Sequence, residues 1–217
     1  MWKIDLIMES KFSEIFKDCY IMQSEDLERF ANTLADGFSQ YELFQNVCGK
    51  EYSHDKMNLF WSVSIALYGE DVICIADSKE FNSVLVYVRP KIKEPSVVKY
   101  LKSSGLKMFY RLGLRSIIRL QRIKNRTFNV AKRYKSDDDG YILCFATRID
   151  KQGQKYGKHV IETLMRYLDM SGEGCYLETF RAKNVDLYKH FSFELKAEIP
   201  LKMDGLTLYA MHRPARK

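Results

Sequence analysis

Long apolar runs are missing from this sequence of 217 residues. A helix that crosses a bilayer needs about 18 or more apolar residues in succession, whereas the longest apolar runs here, VICIA and SVLVYV, have the length of a strand. The first residues soon meet Asp5, Glu9 and Glu14, which interrupt any apolar core of a signal peptide. We therefore expect no membrane span, no secretion and a cytoplasmic location.

Cysteine and histidine are too scattered to suggest a metal site. The five cysteines are an odd number, and three of them lie in apolar runs, where a free thiol packs as a small hydrophobic group. The four histidines show no HxxxH spacing and have no CxxC pair nearby, and these are common zinc-binding spacings. The sequence predicts a reducing compartment and no bound metal.

Proline is also scarce, with four residues, while 46% of the residues are hydrophobic and can fill a complete core. A chain of this length commonly forms one domain. We predict a single domain over 1–217, in which residues 1–90 form helices and a hairpin, residues 91–139 form a basic helical insertion, and residues 140–214 form the remaining half.

Acidic residues are almost absent from residues 91–135, which contain 14 lysines or arginines and a single acid, Glu94. Such a segment is typical of a solvated helix face or of a surface that attracts a polyanion. A nucleic-acid binder would use Tyr100, Phe109 and Tyr110 as stacking surfaces, although no RNP or zinc-finger signature accompanies them. All these interpretations remain open from the sequence.

The periodicity of apolar residues changes along the chain. Helical spacing before residue 70 is followed by two strand-like runs over 71–77 and 82–90, which we interpret as a hairpin. Helical spacing returns over 95–135. After residue 139 the order is strand, helix, strand, helix, strand, strand, with Val160, Leu164 and Leu168 facing inward on the first helix. These patterns predict a mixed α/β domain.

A glycine-containing loop lies between the first strand and the first helix of this second half. It consists of Gln152, Gly153, Gln154, Lys155, Tyr156, Gly157 and Lys158. Backbone N–H groups at the start of a helix bind phosphate oxygens, although any strand-to-helix turn can contain two glycines. The spacing is neither GxxxxGK[ST] nor GxGxxG, so it does not indicate the common nucleotide loops. Another anion is expected.

Four segments, in order, resemble the GNAT acetyltransferase superfamily. The loop is similar to the family's pyrophosphate loop, Q/R-x-x-G-x-G/A, with Lys155 in place of the middle glycine. The following strand and helix are similar through Leu177-Glu178-Thr179, Asn184, Leu187-Tyr188 and Ser192-Phe193, with Ser192 where glycine is usual. The closing LYAMHRP resembles the last strand of one GNAT subgroup. The resemblance covers residues 140–214 well and the earlier half loosely.

This resemblance implies a single GNAT-like domain whose central, mostly antiparallel sheet is splayed at the cofactor strand and flanked by helices. It makes residues 140–214 the acyl-CoA-binding half and acetyl-CoA the co-substrate. The main chain of Phe145, Ala146 and Thr147, the loop from Gln152 to Lys158, and Asn184 would bind it. Asn is also among the best helix N-caps, so Asn184 could fill both roles.

The resemblance also implies a reaction, the transfer of an acetyl group to a primary amine of a small molecule or peptide. Tyr188 would be the general acid for the leaving thiolate, and Glu178 would accept the amine proton. Other interpretations are a core tyrosine, one of 14 in the chain, and a carboxylate that pairs with a lysine. Cys144 and Cys175 are expected to be packing residues, since neither has an evident base.

Two alternative functions remain. A GNAT-like protein that binds acyl-CoA without catalysis is consistent with Lys155 in the loop, and a nucleic-acid module would use residues 91–135. The acceptor and the oligomeric state, a homodimer among the options, are not indicated by the sequence.

Overall fold

The computed structural model describes residues 12–48, 52–92, 95, 111, 113–201 and 205–216. Its strands are β1 (Tyr20–Ile21), β2 (Val72–Ala76), β3 (Ser83–Val88), β4 (Asp139–Thr147), β5 (Gly174–Thr179), β6 (Glu194–Leu201) and β7 (Leu206–Arg213). They form one sheet in the order β1-β2-β3-β4-β5-β7-β6. Only β4 and β5 pair in parallel; the other neighbours within this sheet are antiparallel.

Helices cover both faces of the sheet. They are α1 (Leu27–Gly37), α2 (Glu42–Cys48), α3 (His54–Tyr68), α4 (Leu114–Tyr134), α5 (Tyr156–Ser171) and α6 (Ala182–His190). Helices α1 to α4 pack on one face, and α5, α6 and a short helical segment over 12–16 pack on the other. Within the described ranges, no helix has both the length and the apolarity needed to cross a membrane.

The apolar patterns place the core as predicted. Val160, Leu164 and Leu168, each four residues apart, are fully buried on the inner face of α5. The hairpin of β2 and β3 is antiparallel, with Val72 opposite Val88 and Ala76 opposite Val84. All six residues of β3 are buried, because helices cover the hairpin on both sides. The predicted mixed α/β fold and the hairpin are confirmed.

The sheet is splayed between β4 and β5. These strands form three residue pairs, the last of which joins Tyr141 to Tyr176. Both strands are completely described, and no further pair forms although β4 continues to Thr147 and β5 to Thr179. On its other edge β4 stays paired with β3, with a bulge that leaves Leu143 without an opposite residue. The predicted splay is therefore confirmed.

Helix α4 lies within the predicted basic insertion. Its 21 residues include no acid, and Ile123 is buried while Leu114, Ile118 and Phe128 are exposed. The helix packs on β7, β5 and α2. Tyr100, Phe109 and Tyr110, which would be the stacking residues of a nucleic-acid binder, lie outside the described residues.

Candidate functional site

A cavity of about 220 Å³ lies where β4 and β5 separate. Residues 141–145 of β4 and 177–180 at the end of β5 form its strand side, and Asn184 and Tyr188 enter from α6. The opposite side is formed by α2, α3, α4 and the loop between α1 and α2. Its aromatic residues are Phe38, Tyr41, Phe44, Phe60, Trp61 and Tyr68. The gap between β4 and β5 is therefore part of a pocket whose lining residues come from both halves of the chain.

Tyr188 lines this cavity near the end of α6 and is 7% exposed. Its ring packs edge-on against Phe193, with 5.7 Å between ring centroids. Burial raises the pKa of the Tyr188 phenol above its usual value, with a smaller contribution from Tyr41. The phenol therefore keeps its proton at neutral pH, as a general acid must. The catalytic role itself remains a prediction.

Glu178 lines the same cavity from β5. The hydroxyl of Tyr141 donates a hydrogen bond to its Oε2 over 2.7 Å. Since Tyr141 is the last residue of β4 that pairs with β5, this bond connects the two strands at the point where they part. The carboxylate can accept a proton from a group in the cavity, and its assignment as a base remains a prediction.

Asn184 is held by a network that the sequence did not reveal. Its Nδ2 donates to the Thr179 Oγ1 over 3.0 Å, and the Tyr41 hydroxyl lies 3.1 Å from the same oxygen. That hydroxyl also accepts the N–H of Phe180 over 2.7 Å. Tyr41 thus fixes the end of β5 and, through Thr179, the amide of Asn184. No local pattern signals a contact between residues 138 positions apart.

The N-cap role considered for Asn184 is wrong. Arg181 precedes α6 and is its N-cap, so Asn184 is the third helical residue. Its side chain is engaged by Thr179 instead. Arg181 in turn bonds to Glu42 of α2 over 2.8 Å and covers the ring of Tyr41 at 4.8 Å.

The glycine loop has the backbone of a turn that favours glycine. Gly153 has φ +78° and Lys155 has φ +69°, both in the left-handed region. Lys155 is the N-cap of α5, at the position of the glycine in the family pattern. Lysine in place of glycine therefore changes the side chain at this position, while the backbone keeps a conformation that glycine adopts readily. Lys155 is exposed, so its ammonium is available to an anion.

Side chains of the loop brace it against the preceding strand. Gln152 donates its Nε2 to the Thr147 carbonyl over 3.3 Å, and Gln154 donates to the Asp150 carbonyl over 2.9 Å. Behind the loop, Tyr156, Gly157 and Lys158 form the first turn of α5, where N–H groups have no acceptor within the helix. These donors, at the positive end of the helix dipole, are suited to phosphate oxygens.

Gly157 brings the first turn of α5 close to β4. A Cβ at this position would lie 2.9 Å from the Thr147 Oγ1 and 3.1 Å from the Phe145 Cζ. The Thr147 hydroxyl is itself fixed by the Ser83 hydroxyl at 2.9 Å. Ala146, between these two residues of β4, is buried. A larger side chain at position 157 would push the loop away from the strand.

Cys144 and Cys175 lie in the core, as expected for packing residues. Burial raises the pKa of both thiols, so neither forms the thiolate that covalent catalysis requires.

We expect the Lys155→Gly variant to unfold at higher urea concentration, with a gain of about 0.5–1 kcal/mol, because glycine relieves the strain of a positive φ. The check is equilibrium unfolding followed by circular dichroism. Lys151→Gly, at the residue just before the loop and outside the left-handed region, serves as the control and should lose stability. Equal losses in both variants would contradict this account of the loop.

Comparison with known proteins gives structural matches only. No family model and no curated protein matches the chain. A histone acetyltransferase HPA2 and related acetyltransferase from Corynebacterium glutamicum aligns with a TM-score of 0.67 at 17% identity, covering 92% of this chain and 96% of the other. A mosquito arylalkylamine N-acetyltransferase like 5b aligns with a TM-score of 0.57 at 15% identity, covering 90% and 98%.

A third structure, Ard1 from Thermoplasma volcanium, has a TM-score of 0.50 at 12% identity and covers 92% of this chain and 97% of its own. At these identities the matches establish the architecture, including the splayed strands and the helices on both faces. The chain has the fold of the GNAT acetyltransferases.

Proposed function

We propose that this protein transfers an acetyl group from acetyl-CoA to a primary amine. The observation that supports this most is the cavity at the separation of β4 and β5, because it brings Tyr188, Glu178 and the open edge of β4 to one place. Acetyl transfer is also the activity for which the proteins of similar fold are named, an arylalkylamine being the acceptor in the name of the mosquito protein.

The residues present fit acetyl-CoA. The loop from Gln152 to Lys158 offers helix-terminal N–H groups and two exposed lysines to the phosphates. Gly157 leaves no side chain between the loop and Phe145 or Thr147. Beyond Tyr141 the edge of β4 facing β5 has no strand partner, so the main chain of residues 145–147 can bond to an extended pantetheine arm.

The reaction requires a C–N bond to form and a C–S bond to break, with acetyl-CoA supplying an activated thioester. Glu178 accepts the proton that the amine must lose, directly or through water. N–H groups on the open edge of β4 stabilise negative charge on the carbonyl oxygen. Tyr188, which is protonated at neutral pH, gives its proton to the departing sulfur. Asn184 is held by Thr179 and helps position the arm.

The basic insertion contributes to the acceptor side in this proposal. Leu120, Ile123, Lys124 and Thr127 of α4 line the cavity, opposite the strands. This placement supports a role in shaping the acceptor pocket over a role in binding nucleic acid. Catalytically silent binding of acyl-CoA is the remaining alternative.

The proposal is tested by titrating acetyl-CoA into the protein by calorimetry and then adding a mixture of primary amines. We expect a micromolar Kd and, by mass spectrometry, acetylated amine together with free CoA. Binding without any product would indicate the silent alternative, and absence of binding by the folded protein would refute the proposal.

A further inference from the structure

The helix side of the cavity has an aromatic wall, which we define as Phe38, Tyr41, Phe44, Phe60, Trp61 and Tyr68. Trp61 lies at its centre and is 5% exposed. Its ring stacks on Phe38 at 5.3 Å and meets the edges of Phe44 and Phe60 at 5.4 and 5.0 Å. Because the rings hold one another, the wall is already formed and needs little rearrangement to receive an apolar group.

Charge is distributed unequally around this cavity. Among the described residues that line it, Glu178 is the one acid and Lys124 the one base. Glu178 belongs to the strand side, where the thioester would lie. Lys124 belongs to α4 on the helix side, and its Nζ donates to the Pro95 carbonyl over 3.2 Å. Glu178 can therefore compensate one cation in the cavity, and the described lining offers no second carboxylate for another.

We infer that the acceptor is a small primary monoamine with an aromatic or other apolar body. Its nitrogen lies near Glu178 and its apolar body packs against the aromatic wall. The volume of about 220 Å³ is below the roughly 300–1,000 Å³ typical of drug-sized sites, which suits a compact amine. This inference rests on the proposed function and adds the class of substrate to it.

The same arrangement disfavours diamines and polyamines. Their second ammonium would leave water for a pocket whose described lining has no second carboxylate, and an unpaired buried charge costs several kcal/mol. The preference for a monoamine then follows from the single carboxylate of the described lining.

The first test measures binding, independently of turnover. 2-Phenylethylamine and 1,5-diaminopentane are titrated by calorimetry into the protein saturated with CoA. We expect 2-phenylethylamine to bind at least about 10-fold more tightly, since the diamine lacks the apolar body and buries a second charge. Equal or tighter binding of the diamine would overturn the inference.

The second test changes the charge in the cavity. Lys124→Glu supplies a second carboxylate and should lower the preference for 2-phenylethylamine over 1,5-diaminopentane, measured as the ratio of kcat/KM or of Kd, by about 10-fold. Lys132→Glu makes the same change on α4, outside the cavity lining, where Lys132 covers the ring of Phe128 at 4.5 Å. This control should leave the preference unchanged, and an equal effect in both variants would refute the inference.

A failure of the proposed transferase function can be distinguished from a failure of the proposed acceptor class. Selective binding of 2-phenylethylamine with no acetylated product would refute the transferase function and retain the ligand class. Acetylation of both amines with equal kcat/KM would retain the transferase function and overturn the ligand class.

Discussion

The Tyr188→Phe variant is expected to lose about 10²–10⁴-fold in kcat, the usual contribution of a positioned general acid. The phenyl ring keeps the packing against Phe193, and the hydroxyl, which carries the proton for the leaving thiolate, is the single group removed. Acetyl-CoA affinity should change little, since the loop at Gly157 is untouched. Steady-state kinetics with 2-phenylethylamine, beside calorimetry with acetyl-CoA, would check both statements.

The pH dependence of the wild type gives an independent readout. Burial raises the pKa of Tyr188, so the proton is held to higher pH than in a free tyrosine. On this account kcat shows no alkaline decline up to about pH 10, the ordinary pKa of tyrosine. A kcat for Tyr188→Phe within a few-fold of the wild type would show that another group protonates the thiolate. Tyr209→Phe, which removes a tyrosine hydroxyl outside the cavity lining and keeps Tyr188 intact, is the matched comparison.

The Gly157→Glu variant is expected to weaken acetyl-CoA binding by at least about 10²-fold, since like charges about 4 Å apart near a protein surface repel by roughly 4 kcal/mol. Bulk acts in the same direction, because even a Cβ would lie 2.9 Å from the Thr147 Oγ1. Calorimetry measures the loss, and circular dichroism verifies that the variant is folded.

Gly172→Glu provides the control for Gly157→Glu. Gly172 ends the same helix with φ +66° and has open space around its Cα, so the variant adds equal charge away from the loop. Its stability should fall and its acetyl-CoA affinity should not. Should Gly157→Glu fail to fold, Lys155→Glu places the charge on an exposed residue of the same loop. Unchanged affinity in a folded loop variant would place the cofactor elsewhere.

Local sequence pattern was enough to predict α5 and the loop before it, which form the proposed acetyl-CoA site. The spacing of Val160, Leu164 and Leu168 encodes the buried face of α5, and the glycines at 153 and 157 mark the loop before it. These features depend on residues within one or two turns, which is the range over which periodicity carries information. The splay of β4 and β5 came from resemblance to the GNAT family, since no local spacing indicates where two strands part.

The acceptor side could not be predicted, because its contacts join distant parts of the chain. Tyr41 meets Thr179, and Trp61 of α3 shares a cavity with Ile123 of α4. The left-handed backbone at Lys155 could not be predicted either, because a positive φ is uncommon for lysine. The mistaken N-cap at Asn184 has a similar origin, because capping preference does not say which of several residues begins the helix.

The splay divides the sheet into two half-sheets that touch at one end, β1 to β4 and β5 to β7. Helix α4 packs on β5 and β7 and reaches α2, which belongs to the helices covering the other half. Helix α4 therefore bridges the two half-sheets, on the face opposite α5 and the glycine loop that precedes α5. Substitutions in α4 can therefore alter the width and polarity of the cavity while β4, α5 and the glycine loop keep their structure. Under the proposed function, substrate choice and acetyl-CoA binding would then depend on parts of the chain that can evolve separately.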